Sequence, residues 1–352
     1  MSDAMSDAMN NSMNKSAPKK YADRNTSEAN RNIHPDFRKL KRIPVPKTLS
    51  QVKSIQLIFR RRMHREASTE HFDVKRVMLK SAYSQKKEIK TLIYSSKDLS
   101  PEEKAPCLYF IHGGAFLLPA LPYHYRFARL AAKELRCRVV MPMYDLAPYQ
   151  VPPVQQEEIF EIYKKLLDTP EKFHIDPEKI IIAGDSAGGT LAAALCLMAR
   201  DRNIRLPLAQ ALFYPSLDVR LNTESMKKYT DVPVCNAESI REYYKLCRPE
   251  EYHGSNDYRS PVEAASLKGL PDAYIETAEF DALHDDGIAY AERLRDEGCN
   301  VVLNETKGTV HAFEMAKNSE ITKAILWQRI EFMQNTLSCV QHRSDTVGYP
   351  DI

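Results

Sequence analysis

The chain has 352 residues, 43% of them hydrophobic and 28% charged, with a formal net charge of +3. That is enough apolar material for a full core, either one large α/β domain with an appended subdomain or two domains. The nearly balanced charge argues for neither a nucleic-acid nor a membrane partner.

The first residues, "MSDAMSDAMNNSMNKS", are polar and lack the apolar stretch of a secretory signal. No apolar run reaches the ~18 residues that cross a bilayer, so no transmembrane segment is expected. The seven cysteines are scattered, odd in number and without a close CxxC pair, as expected of free thiols in a reducing compartment. Together these point to the cytoplasm.

Residues 1–30 read as a disordered tail rich in Asn, Ser, Ala and Met. From about Pro44 to Tyr83 the pattern is helical. "VKSIQLIFRRRMHREA" sets Val52, Ile55, Ile58 and Phe59 on one stripe, and "VKRVMLKSAY" is expected to add a second short helix. Basic residues cluster at "RKLKR" (Arg38 to Arg42) and "RRRMHR" (Arg60 to Arg65), which read as a solvated face or, alternatively, a patch for an acidic partner. The basic amphipathic helix is expected to pack onto a domain rather than lie on a membrane. Residues 31–87 are therefore expected to form the N-terminal helical part of a cap.

After about residue 88 short apolar runs alternate with helical segments. "KTLIYSS", "APCLYFIHGG", "CRVVMPMYD", "KIIIAGDS", "LAQALFYP", "DAYIETAEFD" and "NVVLNETKG" read as strands. "YRFARLAAKEL", "QQEEIFEIYKKLLD", "GGTLAAALCLMAR", "DDGIAYAERLRDEG" and "ITKAILWQRIEFMQNTL" read as helices. Apolar strands joined by helices call for a largely parallel sheet covered on both faces. Residues 217–265 interrupt this rhythm with polar loops and a short helix around "AESIREYYKL", a second cap segment placed after a strand end. The core is then 88–216 and 266–338, with a C-terminal tail at 339–352.

The motif "GDSAG", Gly184 to Gly188, lies between an apolar strand and a helix, the context in which G-x-S-x-G lifts a serine hydroxyl clear of a sheet. Upstream, "FIHGGAF" ends another apolar strand. There the N–H groups of Gly113, Gly114 and Ala115, with that of Ala187 after the serine, are candidate donors to a developing oxyanion. His112 reads as a structural residue of this loop. A base is expected late in the chain, and "GTVHAF" places His311 in a loop after a strand around Val301 to Asn304. "AEFDALHDDG" places Asp281 just past a strand at Ala273 to Thr277. Asp285 and Asp286 are rivals better suited to the first turn of the next helix, and His284 is a weaker alternative base. The chain order Ser186, Asp281, His311 suits a serine nucleophile with an orienting acid and a base.

With these motifs, "YDLAP" at Tyr144 to Pro148, "IDPEKIIIAGDSAGG" at Ile175 to Gly189, Ser260-Pro261 and "LKGLPDAYIETAEFDAL" at Leu267 to Leu283, the chain resembles the hormone-sensitive-lipase-like family of α/β-hydrolases. The resemblance runs from about residue 100 to 335. It implies an α/β-hydrolase fold with a mostly parallel sheet, helices on both faces and a helical cap. It further implies a carboxylesterase acting on short- to medium-chain esters, with no cofactor or metal, and a homodimer as a common state. Three departures stand out. Ala115 replaces the third glycine of the family's HGGG, Asp145 replaces an arginine after Tyr144, and Ala282 replaces a proline beside the acid. An amidase or peptidase, and a non-catalytic ligand-binding protein of the same fold, remain alternatives. Cap aromatics such as Phe59, Phe72, Tyr243 and Tyr244 suit an apolar pocket and core packing equally.

Overall fold

In the computed structural model, residues 32–63, 68–247 and 254–345 are described. In chain order the elements are α1 (Pro35–Arg38), α2 (Leu49–Met63), β1 (Phe72–Lys80), β2 (Glu88–Ser96), β3 (Ala105–Ile111), α3 (Pro122–Glu134), β4 (Arg138–Pro142) and α4 (Val154–Asp168). They continue with β5 (Ile175–Asp185), α5 (Ala187–Asp201), β6 (Ala209–Phe213), α6 (Glu224–Lys228), α7 (Ala237–Cys247) and α8 (Asn256–Arg259). β7 (Asp272–Phe280), α9 (His284–Asp296), β8 (Val301–Val310) and α10 (Glu320–Asp345) complete the order.

One eight-stranded sheet runs β1-β2-β4-β3-β5-β6-β7-β8. β2 is antiparallel to both its neighbours and every other pairing is parallel. The central strands are buried on both faces, which is why "CLYFI", "IIIAG" and "AQALF" read as unbroken apolar runs rather than alternating ones. α5 is hydrophobic on nearly every side and correspondingly buried from Ala187 to Ala199. It packs on β5 and β6 and is covered by α4 and α8. Parallel pairing puts the C-terminal ends of β3, β5, β7 and β8 along one edge, the edge on which α/β sheets present ligand sites. Register pairs Ile111 with Gly184, Asp185 with Phe213, and Phe280 with Val310, so the loops that follow these strands converge.

"VKRVMLK" does not form the expected second helix. It is the body of β1, paired residue for residue with β2 from Phe72↔Ser96 to Lys80↔Glu88. Its mix of half-buried and exposed residues over only nine positions fits an edge strand as well as a short helix face, and the β2 partner decides between them. Phe72 consequently opens a strand and is no part of a lid helix. α2 is helical, with Val52 buried and Leu57 and Ile58 exposed. β8 continues to Val310 instead of ending near Asn304, and α10 extends to Asp345, past the boundary expected at 338. Between residues 217 and 265 the chain forms α6, α7 and α8 rather than one helix. The tail expected at residues 1–30 and the side chains of Arg60 to Arg65 lie outside the described residues. Among those described, no helix is long and apolar enough to cross a membrane.

A buried ion cluster ties α10 to the sheet. The Arg329 guanidinium, almost wholly inaccessible, contacts Glu276 of β7 at 2.5 Å and Glu314 at 2.6 Å, and lies 3.9 Å over the Phe213 ring. Two carboxylates on one buried cation are tolerable only while the cation stays. Arg329→Met should therefore lower the unfolding free energy by about 3–5 kcal/mol in urea titration. Adding Glu276→Gln and Glu314→Gln to that variant should recover much of the loss.

Candidate active site

Ser186 occupies the single residue between β5 and α5 with φ +53° and ψ −122°, a backbone setting that costs an L-residue roughly 1–3 kcal/mol. Backbone bonds hold it there: its N–H donates to the Phe213 carbonyl at 3.0 Å, and its carbonyl accepts from Gly189 at 2.9 Å and Ser216 at 3.2 Å. The flanking glycines are steric necessities. A Cβ on Gly184 would collide with the Gly188 carbonyl, and one on Gly188 with the carbonyl of Ile111 in β3. The serine hydroxyl is thereby presented at the sheet edge, above the start of α5.

His311 follows β8 directly and Asp281 follows β7 directly. His311 Nε2 lies 3.0 Å from Ser186 Oγ, and its Nδ1 lies 2.7 Å from Asp281 Oδ2. The other Asp281 oxygen accepts the Leu283 N–H at 3.0 Å. Asp281 accepts only, so Nδ1 carries the hydrogen and Nε2 is free to accept from the serine. Burial alone would lower the imidazole pKa, but the Asp281 carboxylate outweighs it and holds His311 above its ordinary value. The Tyr214 ring packs edge-on against His311 at 4.8 Å, and its hydroxyl donates to Glu314 at 2.7 Å. The arginine cluster of α10 thus also braces the loop carrying His311.

The loop after β3 is held by a second buried carboxylate that sequence reasoning did not single out. Asp185 accepts from the Gly113 N–H at 2.8 Å, the Tyr123 hydroxyl at 3.0 Å and His124 Nε2 at 3.0 Å. Because His124 Nδ1 accepts the Leu121 N–H at 2.7 Å, its Nε2 carries the hydrogen given to Asp185. Burial disfavours the Asp185 charge, yet His124 and the Gly113 N–H outweigh that and hold its pKa low. The only signal in the sequence was an ionisable residue at the variable position inside the glycine motif.

This arrangement corrects the expected donor set. The Gly113 N–H is already given to Asp185, and Gly113 does not line the cavity. Gly113 must still be glycine, since a Cβ would lie 2.6 Å from the Asp185 carbonyl. Gly114, Ala115 and Ala187 do line the cavity. Among the described residues no acceptor engages their N–H groups, Ala187 being the first residue of α5. Ala115 takes φ +53° despite its methyl group. Its carbonyl accepts from the Cys247 thiol of α7 at 3.1 Å, which ties cap to loop.

His112 is wholly structural. It stacks on Tyr144 at 4.5 Å, its Nδ1 donates to the Gly113 carbonyl at 2.7 Å, and burial lowers its pKa to about 4. Neither Asp285 nor Asp286 approaches His311. Asp286 accepts the N–H groups of Leu217 and Asp218, and Asp285 that of Ser225, so both fasten the cap segment to α9. His284 is likewise spent on Asp285 at 3.0 Å. Asp145 makes no ion pair near the loop; it accepts from Ser84 at 2.8 Å and donates its N–H to Glu158, whose carboxyl is pushed up to about 8 by burial. The turn at Ala282 needs no proline, because Ser225 Oγ donates to its carbonyl at 2.8 Å.

Above Ser186 opens a cavity of about 690 Å³, its mouth included. Ile43 from the N-terminal segment, Phe116, Leu118 and Leu121 from the loop after β3, and Ile240, Tyr243 and Tyr244 from α7 give it a mainly apolar wall. Serine, imidazole and unengaged N–H groups share its floor, an arrangement that can bind a carbonyl and attack it.

Comparison with known proteins agrees with this geometry. The α/β-hydrolase fold family matches residues 108–315. Esterase LipI of Mycobacterium tuberculosis is 31% identical over 226 residues, 64% of this chain and 71% of that protein. An arylesterase of Saccharolobus solfataricus is 34% identical over 203 residues, 57% of this chain and 66% of its own length. Among solved structures, a bacterial heroin esterase superposes with a TM-score of 0.74 at 27% identity, covering 83% of this chain and 94% of that one.

The imidazole of His311, followed by NMR, should titrate above the ~6.5 of a free histidine. Asp281→Asn should move that titration downward, because burial is then opposed only by the Asp185 and Glu314 carboxylates.

Proposed function

The chain belongs to the α/β-hydrolase fold family, and from that premise we propose that it is a carboxylic-ester hydrolase working through an acyl-enzyme on Ser186. The observation that carries the reading is the unbroken line Ser186 Oγ–His311–Asp281 at the floor of an apolar cavity. Its relatives are described as an esterase and an arylesterase, which supports ester chemistry for this chain as well. The motifs at His112, Tyr144 and Ser260 support assigning it to the hormone-sensitive-lipase-like branch.

His311 Nε2 takes the Ser186 proton as Oγ attacks the ester carbonyl. Asp281 holds the ring in the required tautomer and stabilises the imidazolium. The oxyanion is received by the N–H groups of Gly114, Ala115 and Ala187, which need no reorganisation because Asp185 and the α5 terminus already fix them. Protonated His311 gives its proton to the leaving alcohol. Water then attacks the acyl-enzyme by the same path, with His311 again the base, releasing the acid and restoring Ser186. The apolar wall suits an acyl chain, and the family resemblance supports short to medium lengths.

Hydrolysis of p-nitrophenyl acetate, butyrate, octanoate and palmitate tests this directly. Wild type should turn over the shorter members, and Ser186→Ala should lose at least ~10⁴-fold in kcat. An enzyme that prefers a matched anilide would instead be an amidase, and a folded wild type inert to all of them and to fluorophosphonates would be a ligand-binding protein. The base must be neutral to act, so kcat/KM should rise with pH through the raised His311 pKa, its acid limb lying above ~6.5.

A further inference from the structure

Four hydroxyl-bearing residues besides Ser186 line the cavity, and the partners of their hydroxyls separate them. Tyr123 gives its proton to Asp185 at 3.0 Å. Ser216 and Tyr244 share one hydrogen bond at 2.8 Å. The fourth, Tyr243 Oη, is buried and has no hydrogen-bond partner among the described residues, although the residue is only 4% exposed. Burial also holds this phenol firmly in its protonated form, so it is a donor at every working pH.

An orphaned buried hydroxyl is a stability cost that phenylalanine at the same position would avoid. Tyr243 sits on α7 one helical turn from Cys247 and Ile240, both of which also face the cavity, so its ring is in place for packing regardless of the oxygen. The hydroxyl needs a different reason to be there. The bound substrate is the group the free protein lacks.

We propose that Tyr243 is a specificity-determining residue whose hydroxyl donates to a second oxygen on the substrate, so that the pocket selects esters bearing an ether, carbonyl or hydroxyl oxygen remote from the scissile carbonyl. This rests on the ester-hydrolase reading above. A hydrocarbon ester leaves the donor buried and unpaired, whereas an oxygen-bearing ester of the same shape satisfies it. A site that hydrogen-bonds its substrate discriminates against the analogue lacking that group more sharply than an apolar wall separates chain lengths.

The test pairs each hydrocarbon ester with analogues in which one methylene is replaced by an ether oxygen. The replacement is walked along the acyl chain of p-nitrophenyl octanoate and along the alcohol of hexyl acetate, the latter followed by acid release. For each pair the ratio of kcat/KM, oxygen-bearing over hydrocarbon, is measured in wild type and Tyr243→Phe; comparing the two enzymes cancels intrinsic reactivity. At one or more positions the wild-type ratio should exceed that of the variant by roughly 10- to 100-fold. Tyr243→Phe should melt no lower than wild type, because it removes only an unpaired group. Hydrolysis of the hydrocarbon esters with equal ratios in both enzymes at every position overturns the role of Tyr243 and leaves the esterase intact. A melting temperature several degrees lower in the variant means the hydroxyl has a partner inside the protein, and also overturns it. Inactivity of wild type on every ester sinks both readings together.

Discussion

The positive φ of Ser186 is the constraint around which the rest of this molecule is arranged. The serine cannot relax into α5 without swinging its hydroxyl away from His311, and it cannot relax into β5 without losing the turn. It is held by four backbone hydrogen bonds, two of them to the end of β6 and the segment that leaves it. The two glycines beside it let β3 and α5 pass at backbone contact. The strain is thus borne by the central strands of the sheet, where burial on both faces leaves no room for an alternative.

The loop after β3 depends on the same turn through Asp185. One carboxylate, one residue before the serine, collects a backbone N–H, a phenol and an imidazole from the loop and from α3. Removing it from water is costly, and three donors offset that cost, so this is a fully connected polar network rather than a stray charge. Its result is mechanical. Gly113 is fixed by its own N–H, and the next two residues line the cavity with N–H groups that no described acceptor engages. On the opposite side, Tyr214, Glu314 and Arg329 do for the loop of His311 what Asp185 does for that of His112. Both halves of the site stand on buried charge, while the cavity between them is mainly apolar.

Legibility in the sequence followed the range of the interaction. G-x-S-x-G, the glycines of "HGGAF" and the apolar runs before them are consequences of local sterics and period, and Ser186 and its strand-turn-helix context could be read from eight consecutive residues. His311 and Asp281 were found only by chain order, and their distances to Ser186 and to each other could not have been. "VKRVMLK" was misread as helix because an edge strand's half-exposed pattern is too weak to exclude a helix without its partner β2 in view. Gly113 was assigned a free donor because nothing local reveals that Asp185, 72 residues away, claims it.

By itself, then, the sequence determined which residue types stand at which strand ends, since turns, glycine positions and buried runs are encoded within a few residues. Only the tertiary structure decided how those residues spend their hydrogen bonds. It alone shows that Asp286 holds the cap, that Arg329 closes the sheet against α10, and that the Tyr243 hydroxyl, unlike those of Tyr123 and Tyr244, has no partner among the described residues. A polar group's partner is set by where the chain returns in space, and that is a property of the whole fold.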